Sequence, residues 1–418
     1  MSPHRHTRYA SRILPRVEPV PSPLSGIRVI EVANYVAAPS TGVLLRDLGA
    51  DVIKVEPPGG EVMRGVRSAS AEVTGPNILF EQENRGKRSM VVGLDRPGGI
   101  ELLHDVLRGA DVLLTNLIEP RLRKYRLLPA DVHAVNPKLI HASLTGYGIR
   151  GPESGRPAFD FAAFWARSGI MSVVGHPDTP PVLSRIAQGD HTTGVFAVAA
   201  ILAALRLRDQ TGEGQVVEVS LQQAGVYTIA TDIVRALQER RQPPKMDRTA
   251  PSNPLFNTYQ ASDGQWLMLV HMTPDPYWPA FCRAIGIPEW AEDERFQTMA
   301  SRARFGAFLG DAAQQRIGSE PCAHWQRVFD ENGLIWAPAV DLPGVVDDPQ
   351  LRAIGAFQPI PHPSGAFEAV GVPFSIWDAD IGIRGASPEL GEHTADILAE
   401  AGIDPGRIAD LAAAGVFG

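Results

Sequence analysis

The chain has 418 residues, 44% hydrophobic and 21% charged, which is typical of a folded protein large enough for two domains. Its formal net charge of −8, with cationic residues spread along the chain, excludes a general nucleic-acid-binding protein, whose surface would be basic. The two cysteines, Cys282 and Cys322, have neither metal-ligand spacing nor the pattern of a disulfide framework. We therefore expect a cytoplasmic protein without a metal.

The first 25 residues differ from the rest of the chain. They hold four arginines, several prolines and one acid, which is typical of a disordered lead-in, with a mitochondrial presequence as the alternative. No apolar core of a secretory signal is present, and no stretch of the sequence reaches the unbroken apolar length of a membrane span. We therefore expect no membrane partner.

From residue 26 onward, short apolar strands alternate with helical patterns. The predicted strands are Ile27–Val32, Asp51–Glu56, Ser89–Leu94, Asp111–Thr115 and Leu139–Leu144. The predicted helices between them are Ser40–Leu48, Pro97–Leu107 and Pro129–Val135. This alternation predicts an α/β fold in which helices cover both faces of a parallel sheet and ligands bind beyond the carboxyl ends of the strands. The first strand is not followed by a GxGxxG turn, which argues against a dinucleotide-dependent dehydrogenase.

The second half of the chain has a different texture. A polar, proline-bearing stretch predicts a linker over residues 226–250 between a large domain, 26–225, and a smaller α+β domain, 251–345. Trp266–Val270 is predicted to be an antiparallel strand of the smaller domain. Residues 346–418, with a final predicted helix at Thr394–Ala401, are expected to return to the large domain.

The pair Gly189-Asp190 precedes the apolar run Val195–Leu205, which predicts a buried helix. An aspartate at the N-terminus of such a helix lies where the helix dipole favours the carboxylate, so we expect it to stay ionised while partly desolvated and to act as a nucleophile. The alternative is that Asp190 is simply the N-cap of the helix.

Several further motifs occur together with this pair, in order along the chain. They are Gly26–Val32, Leu48–Gly59, Asn84–Ser89, Asn136–Ile140, Gly146–Gly148, Gly151-Pro152, Thr211–Gln215 and Leu390–Thr394. With Gly189-Asp190 they resemble the class III coenzyme A transferases, the family that also includes alpha-methylacyl-CoA racemase. The resemblance covers nearly the whole chain after the lead-in.

The resemblance implies a Rossmann-like large domain with a second, smaller domain, and a homodimer whose ring-like subunits interlock. It also implies transfer of CoA between carboxylic acids, with an acyl-CoA and an acceptor acid as the substrates and Asp190 as the catalytic residue. The carboxylate would form a mixed anhydride with the acyl group and then an aspartyl-CoA thioester.

The resemblance further assigns contacts with CoA to residues that follow the strands of the large domain. They are Tyr35, Val36, Ala37, Pro57, Pro58, Val92, Asn116, Leu117, Lys124 and Tyr125.

Asp160 is the second predicted catalytic residue, and the alternative is that it caps the helix that follows it. In the racemase branch a histidine precedes this aspartate, whereas this chain has Phe159, which cannot accept a proton. Transfer is therefore favoured over racemisation. An intramolecular CoA-transfer isomerase and a non-catalytic acyl-CoA-binding protein are the remaining alternatives. His191 either tunes the charge of Asp190 or has a structural role.

Overall fold

The computed structural model describes residues 20–66, 75–363 and 365–418. The chain divides into a large unit, which runs to Gly169 and includes Ser184–Ala230 and Gly355–Gly418, and a small unit made of Ile170–Leu183 and Thr231–Ile354. Residues 1–19 of the predicted lead-in lie outside the described residues. Its last residues are packed, because Leu24 is 6% exposed and its N–H donates to the Leu48 carbonyl at 2.9 Å.

Strands are numbered in chain order. They are β1 Arg28–Val32, β2 Asp51–Glu56, β3 Arg88–Val91, β4 Val112–Thr115, β5 Ile140–Thr145, β6 Val216–Ser220, β7 Phe256–Gln260, β8 Trp266–Val270, β9 Trp336–Ala339, β10 Phe357–Ile360 and β11 Phe367–Val370.

The α-helices are numbered in the same way. They are α1 Ala37–Asp47, α2 Ile78–Asn84, α3 Gly99–Leu107, α4 Glu119–Lys124, α5 Pro129–Val135, α6 Ile170–Val173, α7 Gln188–Thr211, α8 Leu221–Thr228, α9 Ala230–Glu239, α10 Trp278–Ala284, α11 Met299–Arg302, α12 Gly306–Ile317, α13 Cys322–Glu331, α14 Leu342–Val346, α15 Pro349–Ala353, α16 Thr394–Glu400 and α17 Pro405–Ala413. Phe161–Ala166 forms a π-helical turn.

A six-stranded parallel sheet organises the large unit, with the strand order β3-β2-β1-β4-β5-β6. This is the order of a doubly wound Rossmann sheet, in which the direction of winding reverses between the first and fourth strands. The predicted α/β fold with a parallel sheet is therefore confirmed. The strands are hydrophobic on both faces because helices cover both, and β4 and β5 are buried along their whole length.

The small unit contains an antiparallel sheet of order β7-β8-β9, which includes the predicted strand Trp266–Val270. Its core is rich in aromatic side chains, and Trp278 and Trp290 stack with ring centroids 6.2 Å apart. Part of the predicted linker 226–250 is helix α9, in which no residue is buried. The polar composition of this stretch predicted an exposed linker. A helix with one polar face can be just as exposed, so the composition does not distinguish a linker from a surface helix.

Two expectations about helices need correction. Val195–Leu205 is not buried all round, since Val195 is 38% and Leu202 37% exposed on α7. By length and composition alone α7 could cross a membrane, which is weak evidence because a core helix meets the same criteria, and the expected absence of a membrane partner stays a prediction. Its buried face packs on α1, and a Cβ added at Gly194 would lie 2.5 Å from the Ser40 hydroxyl oxygen. Thr394–Glu400 is also not the final helix, because α17 follows it.

Candidate active site

The loops after β1 and β4 meet where the winding of the sheet reverses, the position at which doubly wound sheets bind ligands. The Asn116 side chain accepts a hydrogen bond from the Asn34 N–H at 3.1 Å and donates one to the Asn34 carbonyl at 2.6 Å. Asn116, predicted to contact CoA, therefore joins these two loops, and both polar atoms of its amide are engaged with protein.

Tyr35 has a strained backbone beside this junction. Its φ of 66° lies in the left-handed region, and its N–H donates to the Glu61 carboxylate at 3.1 Å. The Tyr35 ring is 39% exposed and meets the edge of Phe159, with centroids 5.1 Å apart. Phe159 is itself 59% exposed. The two rings thus present an aromatic surface directly beside Asp160.

Asp190 lies in the first turn of α7, as the sequence predicts, but it does not cap the helix. The cap position is Ala187, whose φ of 67° is unusual for a residue with a side chain. Gly189 leaves space that a side chain would fill, because an added Cβ would collide with the Asp160 carboxylate and the Phe164 ring. The glycine of the motif therefore allows Asp160 to approach the turn that carries Asp190.

Asp160 is 3% exposed and accepts a hydrogen bond from the Gly189 N–H at 3.2 Å. Asp160 occupies the N-cap position of the π-helical turn, as the alternative interpretation expects, but its side chain makes no capping hydrogen bond there. π-helical turns are frequent at functional sites because they re-aim side chains. The structure thus brings the two predicted catalytic carboxylates together at the start of α7.

The environment of Asp190 opposes its ionisation. Burial raises its pKa from 3.8 to about 7, and the nearby charges of Asp160 and Glu83 act in the same direction, whereas His191 lowers it. Burial and like charge therefore act against the ionised carboxylate that the helix N-terminus is expected to favour. Burial also raises the pKa of Asp160. With a pKa of about 7, the Asp190 carboxyl is only partly ionised at neutral pH.

His191 is paired with a carboxylate that the sequence analysis did not single out. Its Nε2 lies 2.7 Å from a carboxylate oxygen of Glu83, which is on α2. The hydrogen bond to Glu83 raises the pKa of His191. We call Glu83, Asp160, Asp190 and His191 together the carboxylate site. It contains three acids and one imidazole.

A second group of charges lies close by and is fully buried. Lys54 pairs with Glu31 at 3.0 Å and with Glu61 at 2.9 Å, and Lys87 pairs with the other oxygen of Glu31 at 2.7 Å. Neither lysine has any exposed side-chain surface. We call Glu31, Lys54, Glu61 and Lys87 the buried ion cluster. It holds the loop of Tyr35 through Glu61 and the end of α2 through Lys87.

The other residues predicted to bind CoA lie at the carboxyl ends of β1 to β4 but differ in exposure. Val36 and Pro58 are half-buried and Pro57 is exposed. Ala37 is 9%, Val92 1% and Leu117 7% exposed. Val92 and Leu117 belong to the hydrophobic core, so their side chains are not displayed to a ligand.

Lys124 and Tyr125 form a small exposed group at the end of α4. The Lys124 ammonium pairs with Asp95 and lies 5.1 Å from the centroid of the Tyr125 ring. The Tyr125 hydroxyl donates to the same carboxylate at 3.1 Å. Both side chains remain in reach of solvent, where an anionic ligand would compete with Asp95 for the ammonium.

Glu83 is the member of the carboxylate site that sequence reasoning missed. It immediately precedes the motif Asn84–Ser89, and only the packing of α2 places it beside the start of α7. No signal in the sequence alone points to this contact, since the two residues are 108 positions apart.

Comparison with known proteins identifies the family. The family described as CoA-transferase family III matches residues 24–394. The chain belongs to this family. It is 30% identical over 388 residues to (R)-2-hydroxy-4-methylpentanoate CoA-transferase of Clostridioides difficile, covering 92% of this chain and 97% of the relative. It is 32% identical over 390 residues to succinate--glutarate CoA-transferase of Agrobacterium fabrum, covering 90% and 95%.

A solved structure supports the same assignment. The crystal structure of a CAIB/BAIF family protein from Brucella suis matches with a TM-score of 0.80 and 33% identity, covering 91% of this chain and all of the other. The predicted class III resemblance is confirmed, and this chain is a CoA-transferase. Family membership implies a CoA thioester and a carboxylate as substrates.

Proposed function

We propose that this family III CoA-transferase moves CoA from an acyl-CoA to a free carboxylic acid through covalent adducts on Asp190. The observation that carries the proposal is the place of Asp190, in the first turn of α7, largely desolvated and beside a second carboxylate. A desolvated carboxylate has lost part of the hydration that blunts its nucleophilicity in water.

The first half of the reaction uses the donor. The Asp190 carboxylate attacks the thioester carbonyl, the C–S bond breaks and CoA leaves as a thiolate, which yields a mixed anhydride. The thiolate then attacks the aspartyl carbonyl of this anhydride and releases the donor acid as a carboxylate. The product is an aspartyl-CoA thioester on Asp190.

The second half reverses these steps with the acceptor. The acceptor carboxylate attacks the aspartyl thioester, a second anhydride forms and the thiolate leaves again. Attack of the thiolate on the acceptor's carbonyl gives the new acyl-CoA and restores the Asp190 carboxylate. No ATP is consumed, because each anhydride is formed from a thioester.

Asp160 acts in this scheme as a positioning residue. Its hydrogen bond from the Gly189 N–H fixes the turn that carries Asp190, and its charge raises the pKa of Asp190. Direct assistance of Asp160 in the chemistry stays a prediction.

The racemase alternative lacks support at the position where it requires a base. Racemisation needs two groups that exchange a proton on opposite faces of the α-carbon. Phe159 occupies the position of the racemase histidine, and its ring packs on Tyr35. An aromatic surface at this place suits binding of an acyl group.

We also propose that the protein is a cytoplasmic homodimer. The large unit exposes apolar side chains, among them Val195 and Leu202 of α7 and Tyr227, which is 70% exposed, and we expect a second copy to cover them. If the subunits interlock, sedimentation at nanomolar concentration returns a dimer, because separation would require unfolding. A monomer under those conditions contradicts this arrangement.

The proposed function is tested with a panel of donors, acetyl-, succinyl- and benzoyl-CoA, each mixed with several free acids. For any pair that reacts, Asp190→Asn is expected to lower turnover by thousands-fold or more, because the covalent route is lost. Asp209→Asn, at an exposed position on the same helix, is the matched control and is expected to react like the wild type. Wild-type turnover by Asp190→Asn contradicts the proposal.

A further inference from the structure

The pair formed by Glu83 and His191 is not explained by the covalent route itself. The His191 side chain is 48% exposed, whereas that of Glu83 is 7% exposed, and the two meet at 2.7 Å. A buried carboxylate at this distance favours the charged imidazole. The pair therefore places a cation next in sequence to the nucleophile.

The buried ion cluster fixes the position of Glu83 through Lys87. The Lys87 ammonium donates to the Glu83 carbonyl at 2.7 Å and to the Asn84 side chain at 3.0 Å. The same ammonium donates to the Pro39 carbonyl of α1 at 2.9 Å. Since every one of these atoms is buried, the end of α2 cannot shift without breaking several hydrogen bonds. Glu83 is thus a rigid anchor for an otherwise half-exposed histidine.

The charged groups around His191 come from three elements. Glu83 lies on α2, Asp190 on α7 itself and Asp160 in the segment before the π-helical turn, and all three favour the imidazolium. In the opposite direction, His191 is the charge that lowers the pKa of Asp190 against the combined effect of Asp160 and Glu83.

We propose that Glu83 and His191 form a positioning pair that supplies the positive charge beside Asp190 and offsets the negative charge of Asp160. His191 then sets the fraction of enzyme in which the nucleophile is ionised, without itself transferring a proton. The inference rests on the proposed function, because a charge-setting role matters only if Asp190 is the nucleophile.

The direct test is a titration of the Asp190 carboxyl by NMR of protein labelled with ¹³C in its aspartate side chains. The resonance is identified by its loss in Asp190→Asn, and no substrate is needed. We expect His191→Gln to move the titration midpoint upward by about half a unit to one unit, since a nearby cation is removed. His191→Lys restores a cation and is expected to return the midpoint toward the wild-type value.

A matched control exists in the small unit. His176 lies 3.1 Å from the Asp247 carboxylate, a histidine–carboxylate pair of similar geometry outside the carboxylate site. His176→Gln is expected to leave the Asp190 midpoint unchanged. An equal shift in this control, or no shift in His191→Gln, overturns the inference.

Glu83→Gln separates anchoring from charge. This variant removes a carboxylate that opposes ionisation of Asp190, and it also removes the partner of His191. Because these two effects shift the Asp190 midpoint in opposite directions, the titration of the His191 ring is measured instead. That ring is expected to lose its proton at lower pH in Glu83→Gln than in the wild type. An unchanged ring titration contradicts the role of Glu83 as anchor.

Activity distinguishes failure of this inference from failure of the proposed function. With a reacting pair from the donor panel, His191→Gln should lower kcat/KM more at pH 6.5 than at pH 8.5. A purely structural role would lower it equally at both. If Asp190→Asn stays active, the proposed function fails; if it is inactive while His191→Gln has an unshifted midpoint, only the positioning pair fails.

Discussion

The large unit contains two neighbouring groups of buried charge that are built in opposite ways. The buried ion cluster matches two lysines with two glutamates, so that each charge lies within 3.0 Å of an opposite one. The carboxylate site places three acids around one half-exposed imidazole. Its charges are therefore incompletely offset.

This contrast separates a supporting region from a reactive one. Balanced burial fixes the ends of β1, β2 and α2, because each ion would be costly to expose or to leave alone. Unbalanced burial raises the pKa of Asp190 and leaves it poised between two protonation states near neutral pH. In the proposed function, this incompletely offset charge is what makes the carboxylate site the reactive one.

The largest loss of stability is expected when one charge is removed from the buried ion cluster. Lys87→Met leaves Glu31 to share Lys54 with Glu61, so a buried negative charge is left over. We expect the free energy of unfolding at pH 7 to fall by about 3–5 kcal/mol, measured by urea denaturation. Burial lowers the pKa of Lys87 to about 8, so the ammonium is still mainly charged at that pH.

Lys138→Met is the control for that measurement. Lys138 is an exposed lysine of the same unit, and its replacement is expected to change the free energy of unfolding by less than about 0.5 kcal/mol. If the two lysine variants were equally stable, the buried ion cluster would not support the fold.

Removing the charge of Asp190 from the carboxylate site should instead increase the free energy of unfolding. The folded-state pKa of Asp190 lies above its ordinary value, so the folded protein binds more protons than the unfolded chain between about pH 4 and pH 7. The contribution of Asp190 to wild-type stability therefore falls as pH rises through this window. Asp190→Asn, which cannot ionise, should be more stable than the wild type at pH 8 by about 1–3 kcal/mol and equally stable near pH 4.

Thermal denaturation at the two pH values checks this expectation. A variant that is less stable than the wild type at pH 8 would show that the Asp190 carboxylate is well solvated or paired, contrary to the arrangement described.

A smaller effect is expected at Asp160. Asp160→Asn keeps an oxygen that accepts from the Gly189 N–H but removes the charge that opposes ionisation of Asp190. The acid limb of the pH profile of kcat/KM should move to lower pH by about half a unit to one unit. A limb that stays in place would mean that the two carboxylates do not interact.

Much of the fold follows from local patterns in the sequence. The strand at Asp51–Glu56 and the helix at Pro129–Val135 have the predicted bounds, because a β-branched apolar stretch ended by Pro57-Pro58 marks the strand and an N-terminal proline marks the helix. The strand order is not visible in any one segment, since it depends on which strands pair over long distances. Helix α2 was missed because it is short and carries four polar residues.

Only the part of the candidate site that carries a recognisable motif could be predicted from the sequence. Gly189-Asp190 places the nucleophile at the start of a helix, and the structure agrees. The raised pKa of Asp190 could not be predicted, because a helix N-terminus is visible in the sequence whereas desolvation and the approach of Asp160 are properties of packing. The partnership of His191 with Glu83, 108 residues earlier in the chain, was invisible for the same reason.

Trapping the acyl or CoA adduct on Asp190 tests covalent transfer through this residue most directly. The wild type is incubated with acetyl-, succinyl- and benzoyl-CoA, quenched with hydroxylamine and digested, and the peptides are analysed by mass spectrometry. We expect a hydroxamate on Asp190 that forms only with a reactive acyl-CoA and is absent from the peptides of Asp190→Asn. CoA transfer by the wild type with the trapped adduct on another residue, or with none, would contradict it.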